Sequence, residues 1–137
     1  MKSRAESLWQ LLAFSPYDFY SKEINQRDDS RLRLSDLKDL KKYNLPIYIT
    51  ENGLADTRDE YRTDFIKGHL YYVHKAIEEG VDVRGYLHWS LLDNFEWDKG
   101  FWPRFGLIEV DYKTLARKVR YSALLYGDIC EKNGFEV

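Results

Sequence analysis

The chain has 137 residues, of which 44% are hydrophobic and 32% are charged, and its formal net charge is -2. This composition is typical of one soluble globular domain and argues against a disordered chain. Because 21 basic residues are balanced by 23 acidic ones, the charge predicts neither nucleic-acid binding nor attraction to an anionic membrane surface. No apolar stretch approaches the roughly 20 residues that span a bilayer.

The single cysteine, Cys130, cannot form an internal disulfide, and its neighbours do not resemble a metal-binding cluster. A reducing cytoplasm is therefore the expected location. Lys2 and Arg4 precede a run of leucines, as in a secretory signal. Glu6 and Gln10 interrupt that run, however, and no small-residue cleavage site follows, so secretion is not predicted.

The first predicted elements are a short helix around residues 8–12 and a polar loop or linker from Ser21 to Arg31. Ser35 is positioned to cap a second helix, which contains Leu37 and Leu40 and ends at Asn44. Residues 45–50 are rich in strand formers and predict a buried strand. The Glu51-Asn52-Gly53 run that follows is typical of a turn.

A helix of about 20 residues comes next, because apolar side chains recur close to the period of 3.6 residues that a helix requires. They are Tyr61, Phe65, Ile66, Leu70, Val73 and Ile77. Gly80 is placed to end this helix. A second strand at residues 83–89, an extended piece at residues 105–110 and a last helix from Ser122 to Asn133 complete the chain. Strands that alternate with helices predict βαβ units in a parallel sheet.

Two carboxylates, Glu51 and Glu96, lie at or just beyond the carboxyl ends of the predicted strands. Reacting groups occupy this position in α/β barrels, and retaining glycosidases need two carboxylates. Simpler interpretations stay open at this point. Glu51 would then be a solvated loop residue or a helix cap, and Glu96 a surface charge. Trp89, Trp97 and Trp102 would be packing side chains.

Two longer motifs favour the catalytic interpretation of these residues. Ile49-Thr50-Glu51-Asn52-Gly53 resembles the nucleophile motif of the β-glycosidases of glycoside hydrolase family 1. The run from Gly85 to Trp97 is similar to the segment on the last barrel strand of that family, and residues 100–111 continue the pattern. The similarity extends from about residue 37 to residue 133 and is greatest to the archaeal branch of the family.

The resemblance implies a fold and a reaction. The fold would be α/β, with residues 35–137 forming the C-terminal part of a (β/α)8 barrel, about its last two strand–helix units. Residues 1–34 would be an unmatched segment made of a helix and a polar loop. The reaction would be hydrolysis of terminal β-D-glucosides or β-D-galactosides with retention, so the expected small-molecule partner is a β-linked glycoside.

The resemblance also implies a role for each matching residue. Glu51 would be the nucleophile, and Trp89 the platform on which the sugar ring stacks. Glu96 would accept hydrogen bonds from the 4- and 6-hydroxyls of the sugar, and the indole N–H of Trp97 would donate to its 3-hydroxyl. Phe105 would help to close the apolar wall. No metal or organic cofactor is expected, because two carboxylates do the proton and covalent work.

One catalytic group of the family has no counterpart in this sequence. The general acid of the family lies in an Asn-Glu-Pro motif on the fourth strand, whereas this sequence has no Asn-Glu dipeptide, and Pro16, Pro46 and Pro103 do not follow Glu. The chain alone is therefore expected to be inactive. It would be a truncated gene product, a frameshift remnant or half of a split enzyme whose missing strands come from a separate chain. A catalytically inactive remnant, or a sugar-binding piece without turnover, is the alternative function.

Overall fold

The computed structural model describes residues 34–136, so the helix predicted around residues 8–12 lies outside the described residues. The elements in chain order are helix α1 (Leu34–Leu40) with a 3₁₀ turn (Lys41–Tyr43), strand β1 (Ile47–Asn52), helix α2 (Arg62–Glu78), strand β2 (Val83–His88), a 3₁₀ turn (Trp97–Lys99), strands β3 (Ile108–Val110) and β4 (Arg117–Val119), and helix α3 (Tyr121–Lys132). These residues divide into two compact units, which are described separately.

The first unit comprises residues 34–52 and Gly68–His88. Its strands β1 and β2 pair in parallel, and α2 lies between them in the chain, so they form the predicted βαβ arrangement. Helix α1, strand β1 and helix α2 all contribute apolar side chains to one core. Its buried members are Leu37, Leu40, Ile47, Ile49, Val73, Ala76 and Val81.

Strand β1 differs from its prediction in both bounds and burial. It begins at Ile47 and extends to Asn52, so Glu51 and Asn52 belong to the strand and not to a turn. Pairing with β2 extends as far as His88 opposite Asn52, and this pairing holds the two residues in the strand. Within the described residues the strand is also buried on one face only, because Tyr48 is exposed while Ile47 and Ile49 are buried.

The helices of the first unit end where the sequence predicts. Asn44 adopts a left-handed conformation (φ 49°) after the 3₁₀ turn, and Gly80 does so (φ 79°) after α2. The start of α1 differs, because the helix already includes Leu34 and Ser35 therefore does not cap it.

Helix α2 spans 17 residues, and its buried stripe differs from the predicted one. Tyr61 precedes the helix and is exposed, and Ile77 is exposed as well. The buried positions follow a strict alternation of four and three residues: Arg62, Ile66, His69, Val73 and Ala76. The apolar pattern located the helix, but polar side chains occupy two of the buried positions, so hydrophobicity alone missed them.

The second unit comprises Gly53–Lys67 and residues 89–136. It contains a hairpin that the sequence analysis does not predict, in which β3 pairs with β4 antiparallel. Only the last three residues of the predicted extended piece at 105–110 form a strand. Strand β4 was missed because Arg117, Lys118 and Val119 are all exposed and carry no alternating pattern. Helix α3 begins at Tyr121, and Asn133 (φ 50°) ends it as predicted.

In the described part of the chain, the helices are too short or too polar to cross a membrane. Residues 34–136 also contain no group of three or more His, Cys, Asp or Glu side chains that could hold a metal ion.

Candidate active site

Glu51 is the second-to-last residue of β1, at its carboxyl end, and its side chain is exposed. In a regular strand it would share the buried face of Ile47 and Ile49, because alternate residues point the same way. The pairing of β1 with β2 explains why Glu51 is exposed instead. Ile49 pairs with Tyr86 and Asn52 pairs with His88, so three steps along β1 match two steps along β2. The extra residue reverses the alternation and leaves the Glu51 carboxylate in solvent.

The residue after Glu51 is buried and polar. Asn52 is 6% exposed, and its Oδ1 accepts a hydrogen bond of 2.7 Å from the hydroxyl of Tyr86 on β2. This bond joins the end of β1 to the neighbouring strand through side chains, in addition to the backbone pairing. The sequence pattern does not mark Tyr86 as a site residue, because a tyrosine in a strand is ordinarily a packing residue.

In the second unit, the backbone approaches closely at Gly53. A Cβ added at this position would overlap the carbonyl oxygen of Trp89. Only glycine permits this contact, which brings the residue after the Glu51-Asn52 pair against the start of the loop that follows β2. The loop after β1 and the loop after β2 are therefore packed together at Gly53 and Trp89 within this unit.

Arg62 connects the same two loops. Its side chain is fully buried, and its guanidinium donates to the carbonyl oxygens of Asp56 (2.6 Å) and Arg104 (2.8 Å). It also pairs with Asp59, whose carboxylate accepts hydrogen bonds from the backbone N–H (2.9 Å) and hydroxyl (2.6 Å) of Ser122 at the start of α3. One buried cation thus ties together the loop after β1, the loop before β3 and helix α3.

These contacts shift the ionisation of both partners. Burial raises the pKa of Asp59, but the hydrogen bonds from Ser122 and the charge of Arg62 outweigh that effect and hold the pKa below 3.8. Burial lowers the pKa of Arg62, and the Asp59 carboxylate opposes the shift. Arginine keeps its proton nonetheless, so the pair remains ionised at neutral pH.

Trp89 and Glu96, which the resemblance assigns to sugar binding, lie side by side. The indole N–H of Trp89 donates to Oε1 of Glu96 over 3.2 Å. Glu96 is only 4% exposed, so the interpretation of Glu96 as a surface charge is wrong. A carboxylate can accept several hydrogen bonds on its two oxygens, and Oε1 of Glu96 takes the one from Trp89.

A tight turn follows Glu96. The backbone N–H of Glu96 donates to the carbonyl oxygen of Gly100 (2.7 Å), and the N–H of Gly100 donates to that of Trp97 (3.0 Å). Trp97 has a positive φ of 47° and is 77% exposed, so the packing interpretation of this side chain is also wrong. Trp102 is 53% exposed as well. Phe105, by contrast, is buried, and its carbonyl oxygen accepts from the N–H of Ser90 (3.2 Å).

The loop that carries Trp89 and Glu96 is anchored at Asp93, whose side chain is buried. Its carboxylate accepts two bonds from the guanidinium of Arg120 (3.0 and 3.2 Å) and one from the N–H of Gly106 (2.9 Å). Arg104 pairs with the same carboxylate at 3.3 Å and stacks over the ring of Tyr112 at 4.2 Å. These charge-assisted bonds hold the loop to several other parts of the second unit.

The predicted site residues fall into two groups. Trp89, Glu96, Trp97 and Phe105 belong to the second unit, where the structure brings Trp89 and Glu96 into direct contact. Glu51 belongs to the first unit. The chemistry available is an exposed carboxylate at a strand end and, separately, a loop in which the buried carboxylate of Glu96 lies between Trp89 and the exposed Trp97. Sequence reasoning missed the supporting residues Tyr86, Arg62 and Asp93, although Arg62 falls on the helical period of its helix.

Comparison with known proteins identifies the relatives of this chain. The family described as "Glycosyl hydrolase family 1" matches residues 30–135. The β-galactosidase of Sulfolobus acidocaldarius is 54% identical over 98 residues, which cover 72% of this chain and 20% of that protein. β-Glucosidase A of Thermotoga maritima is 47% identical over 104 residues, which cover 69% of this chain and 23% of that protein. The chain thus spans about a fifth of the length of these curated relatives.

Solved structures agree with the sequence matches. A β-glycosidase from Pyrococcus horikoshii superposes with a TM-score of 0.73 at 54% identity, over 76% of this chain and 25% of the other. A β-glucosidase from Thermotoga maritima in complex with glucoimidazole gives a TM-score of 0.73 at 43% identity, over 75% and 26% of the two chains. The predicted fold class, part of a (β/α)8 barrel, is confirmed, and the chain belongs to glycosyl hydrolase family 1.

Proposed function

We propose that this chain supplies the nucleophile and part of the sugar-binding surface of a retaining β-glycosidase that removes terminal β-linked glucose or galactose. One observation carries the proposal: Glu51 stands exposed at the carboxyl end of a parallel strand. Reacting groups in (β/α)8 barrels occupy this position. The names of the relatives, β-galactosidase and β-glucosidase, support the substrate class.

The proposed reaction has two steps. The Glu51 carboxylate attacks the anomeric carbon, a carbon–oxygen bond forms, and the glycosidic bond breaks as the leaving oxygen takes a proton from a general acid. Water then cleaves the glycosyl-enzyme ester, with the same acid acting as base. Trp89, Glu96 and Trp97 would hold the hexose during both steps, through ring stacking and through hydrogen bonds to its hydroxyls.

The general acid is the group that this sequence does not provide, because it contains no Asn-Glu dipeptide. We infer that it comes from the remaining strands of the barrel, whether these belong to the same gene product or to a second chain. The exposed face of β1 and β2, with Tyr48 and Leu87, fits such docking, since parallel strands are ordinarily covered on both faces. Cytoplasmic location stays a prediction that rests on the lone Cys130.

Covalent labelling tests the proposal. The chain is co-expressed with the part of the Sulfolobus acidocaldarius β-galactosidase that it does not cover, and the complex is treated with 2,4-dinitrophenyl 2-deoxy-2-fluoro-β-glucoside. Peptide mass spectrometry should place the sugar on Glu51, and Glu51→Ala should not be labelled there. The matched control is Glu109→Ala, which removes a carboxylate on β3 and should leave labelling unchanged. A sugar found on Glu96 would overturn the assignment.

Sugar binding without turnover is the second candidate function. It is favoured by the second unit, in which Trp89, buried Glu96 and exposed Trp97 are all present in this chain. Titration of the chain alone with glucoimidazole, the ligand of the Thermotoga maritima structure, distinguishes the two. Binding that disappears in Glu96→Ala, without any labelling of Glu51 in the complex, would support this alternative.

A further inference from the structure

Strand β1 contains one extra residue between Ile49 and Asn52, relative to its partner strand β2. Two steps along β2, from Tyr86 to His88, match three steps along β1, from Ile49 to Asn52. A strand with an unpaired residue loses part of its ladder at that point. Glu51 lies inside this irregular stretch, so the backbone pairing alone leaves its position weakly defined.

A side-chain hydrogen bond between Tyr86 and Asn52 joins the carboxyl-terminal end of the irregular stretch to β2. The Tyr86 hydroxyl donates to Asn52 Oδ1 over 2.7 Å, and Asn52 is 6% exposed. The Tyr86 side chain packs against the core of the first unit, which includes Ile47 and Ile49. The hydroxyl is therefore presented from a fixed ring to a buried amide, and the residue between Thr50 and Asn52 is Glu51.

We propose that Tyr86 is a positioning residue for Glu51, acting through Asn52 on the irregular end of β1. The inference rests on the proposed function, because it takes Glu51 as the nucleophile. Removing the hydroxyl would leave the buried Asn52 amide short of a partner, and the strand end would sample positions in which Glu51 is misplaced for attack. The loss of one such bond corresponds to about tenfold in rate.

The first experiment measures the attack itself, in the co-expressed complex and with the same fluoro-glucoside. The concentration dependence of labelling separates the dissociation constant from the first-order rate constant of the covalent step. Tyr86→Phe should lower the rate constant about tenfold and leave the dissociation constant within about twofold, because the sugar-holding residues Trp89 and Glu96 are untouched. Tyr43→Phe, which removes an exposed hydroxyl from the same unit, should change neither.

A double-mutant cycle then tests whether the effect passes through Asn52. If it does, adding Asn52→Ala to Tyr86→Phe should lower the rate constant no further than either change alone. Independent structural damage would instead make the two losses multiply, and that result would overturn the inference. So would a Tyr86→Phe variant with an unchanged rate constant, or one whose loss appears in the dissociation constant.

The second experiment needs no catalysis and uses the 137-residue chain by itself. Amide hydrogen exchange at Glu51 and Asn52 should be about tenfold faster in Tyr86→Phe than in wild type or Tyr43→Phe. Unchanged exchange would overturn the inference even if labelling works. Failure of the proposed function has a different signature, because wild type and Tyr86→Phe would then both lack sugar on Glu51 while the exchange difference persists.

Discussion

Arg120 and Asp93 form a buried pair in which both terminal nitrogens of the guanidinium donate to the carboxylate, at 3.0 and 3.2 Å. Both side chains are almost completely shielded from water. Asp93 lies three residues before Glu96, and Arg120 directly precedes helix α3. The pair therefore fixes the loop that carries Trp89 and Glu96 to the body of the second unit.

Removing one member of this pair should be costly. Arg120→Ala leaves the Asp93 carboxylate with Arg104 at 3.3 Å and two backbone N–H groups, so we expect a loss near the low end for a broken buried pair, about 3 kcal/mol. Urea unfolding followed by circular dichroism measures it. Arg117→Ala, an exposed arginine on β4, should change the free energy of unfolding by less than about 0.5 kcal/mol. Equal losses in the two variants would contradict this prediction.

Asp59 should make stability depend on acid. Its pKa is held below 3.8 in the folded chain, so its ionised form stabilises the fold at pH values above the ordinary value, and that contribution disappears as the pH falls through the folded pKa. Asp59→Asn should therefore be less stable than wild type at pH 7, and the difference should narrow below about pH 4. Denaturant unfolding at pH 7, 5, 4 and 3 gives the comparison.

Asp128→Asn provides the control for this pH series, because Asp128 pairs with Lys132 on the exposed surface of α3. It should change stability by less than about 1 kcal/mol at every pH. A difference between wild type and Asp59→Asn that is constant from pH 7 to pH 3 would show that the Asp59 contacts do not depend on its charge.

The open face of β1 and β2 should make the chain associate when it is alone. Tyr48 and Leu87 expose apolar surface there, and contiguous exposed apolar patches promote association. Within residues 34–136, each strand of this two-stranded sheet also has an unpaired edge that can pair with another chain. We expect oligomers by size-exclusion chromatography with light scattering. Leu87→Lys should shift the distribution toward monomer, whereas Ser35→Lys, on the exposed side of α1, should not. A cooperatively melting wild-type monomer would contradict the expectation.

The 137-residue chain alone should hydrolyse aryl β-glucosides no faster than buffer. Loss of a general acid costs a factor of about 10² to 10⁴, and the sequence offers no Asn-Glu motif to supply one. Glu51→Ala purified in parallel identifies contaminating host enzyme, since activity present in both preparations does not come from this chain. Turnover by wild type that Glu51→Ala lacks would overturn the prediction.

Sequence by itself determined the family and the main elements. The Ile49–Gly53 and Gly85–Trp97 motifs are long and specific, and the family match confirms them. The helical period of α2 and the residues that end the helices, Asn44 and Gly80, were also predictable. Helix geometry and helix termination depend on neighbouring residues in the sequence. The assigned roles of Glu51, Trp89, Glu96, Trp97 and Phe105 stay predictions that the labelling and binding experiments address.

Tertiary structure alone decided the register and the partners. The extra residue that turns Glu51 outward depends on where β2 pairs with β1, and a shift of one residue reverses every side chain of a strand. The burial of Glu96 and Asp93, and the buried network around Arg62 and Asp59, depend on contacts between residues up to 63 positions apart. Charged side chains look alike in a sequence whether solvent or a partner surrounds them, so only folding reveals which ones are paired.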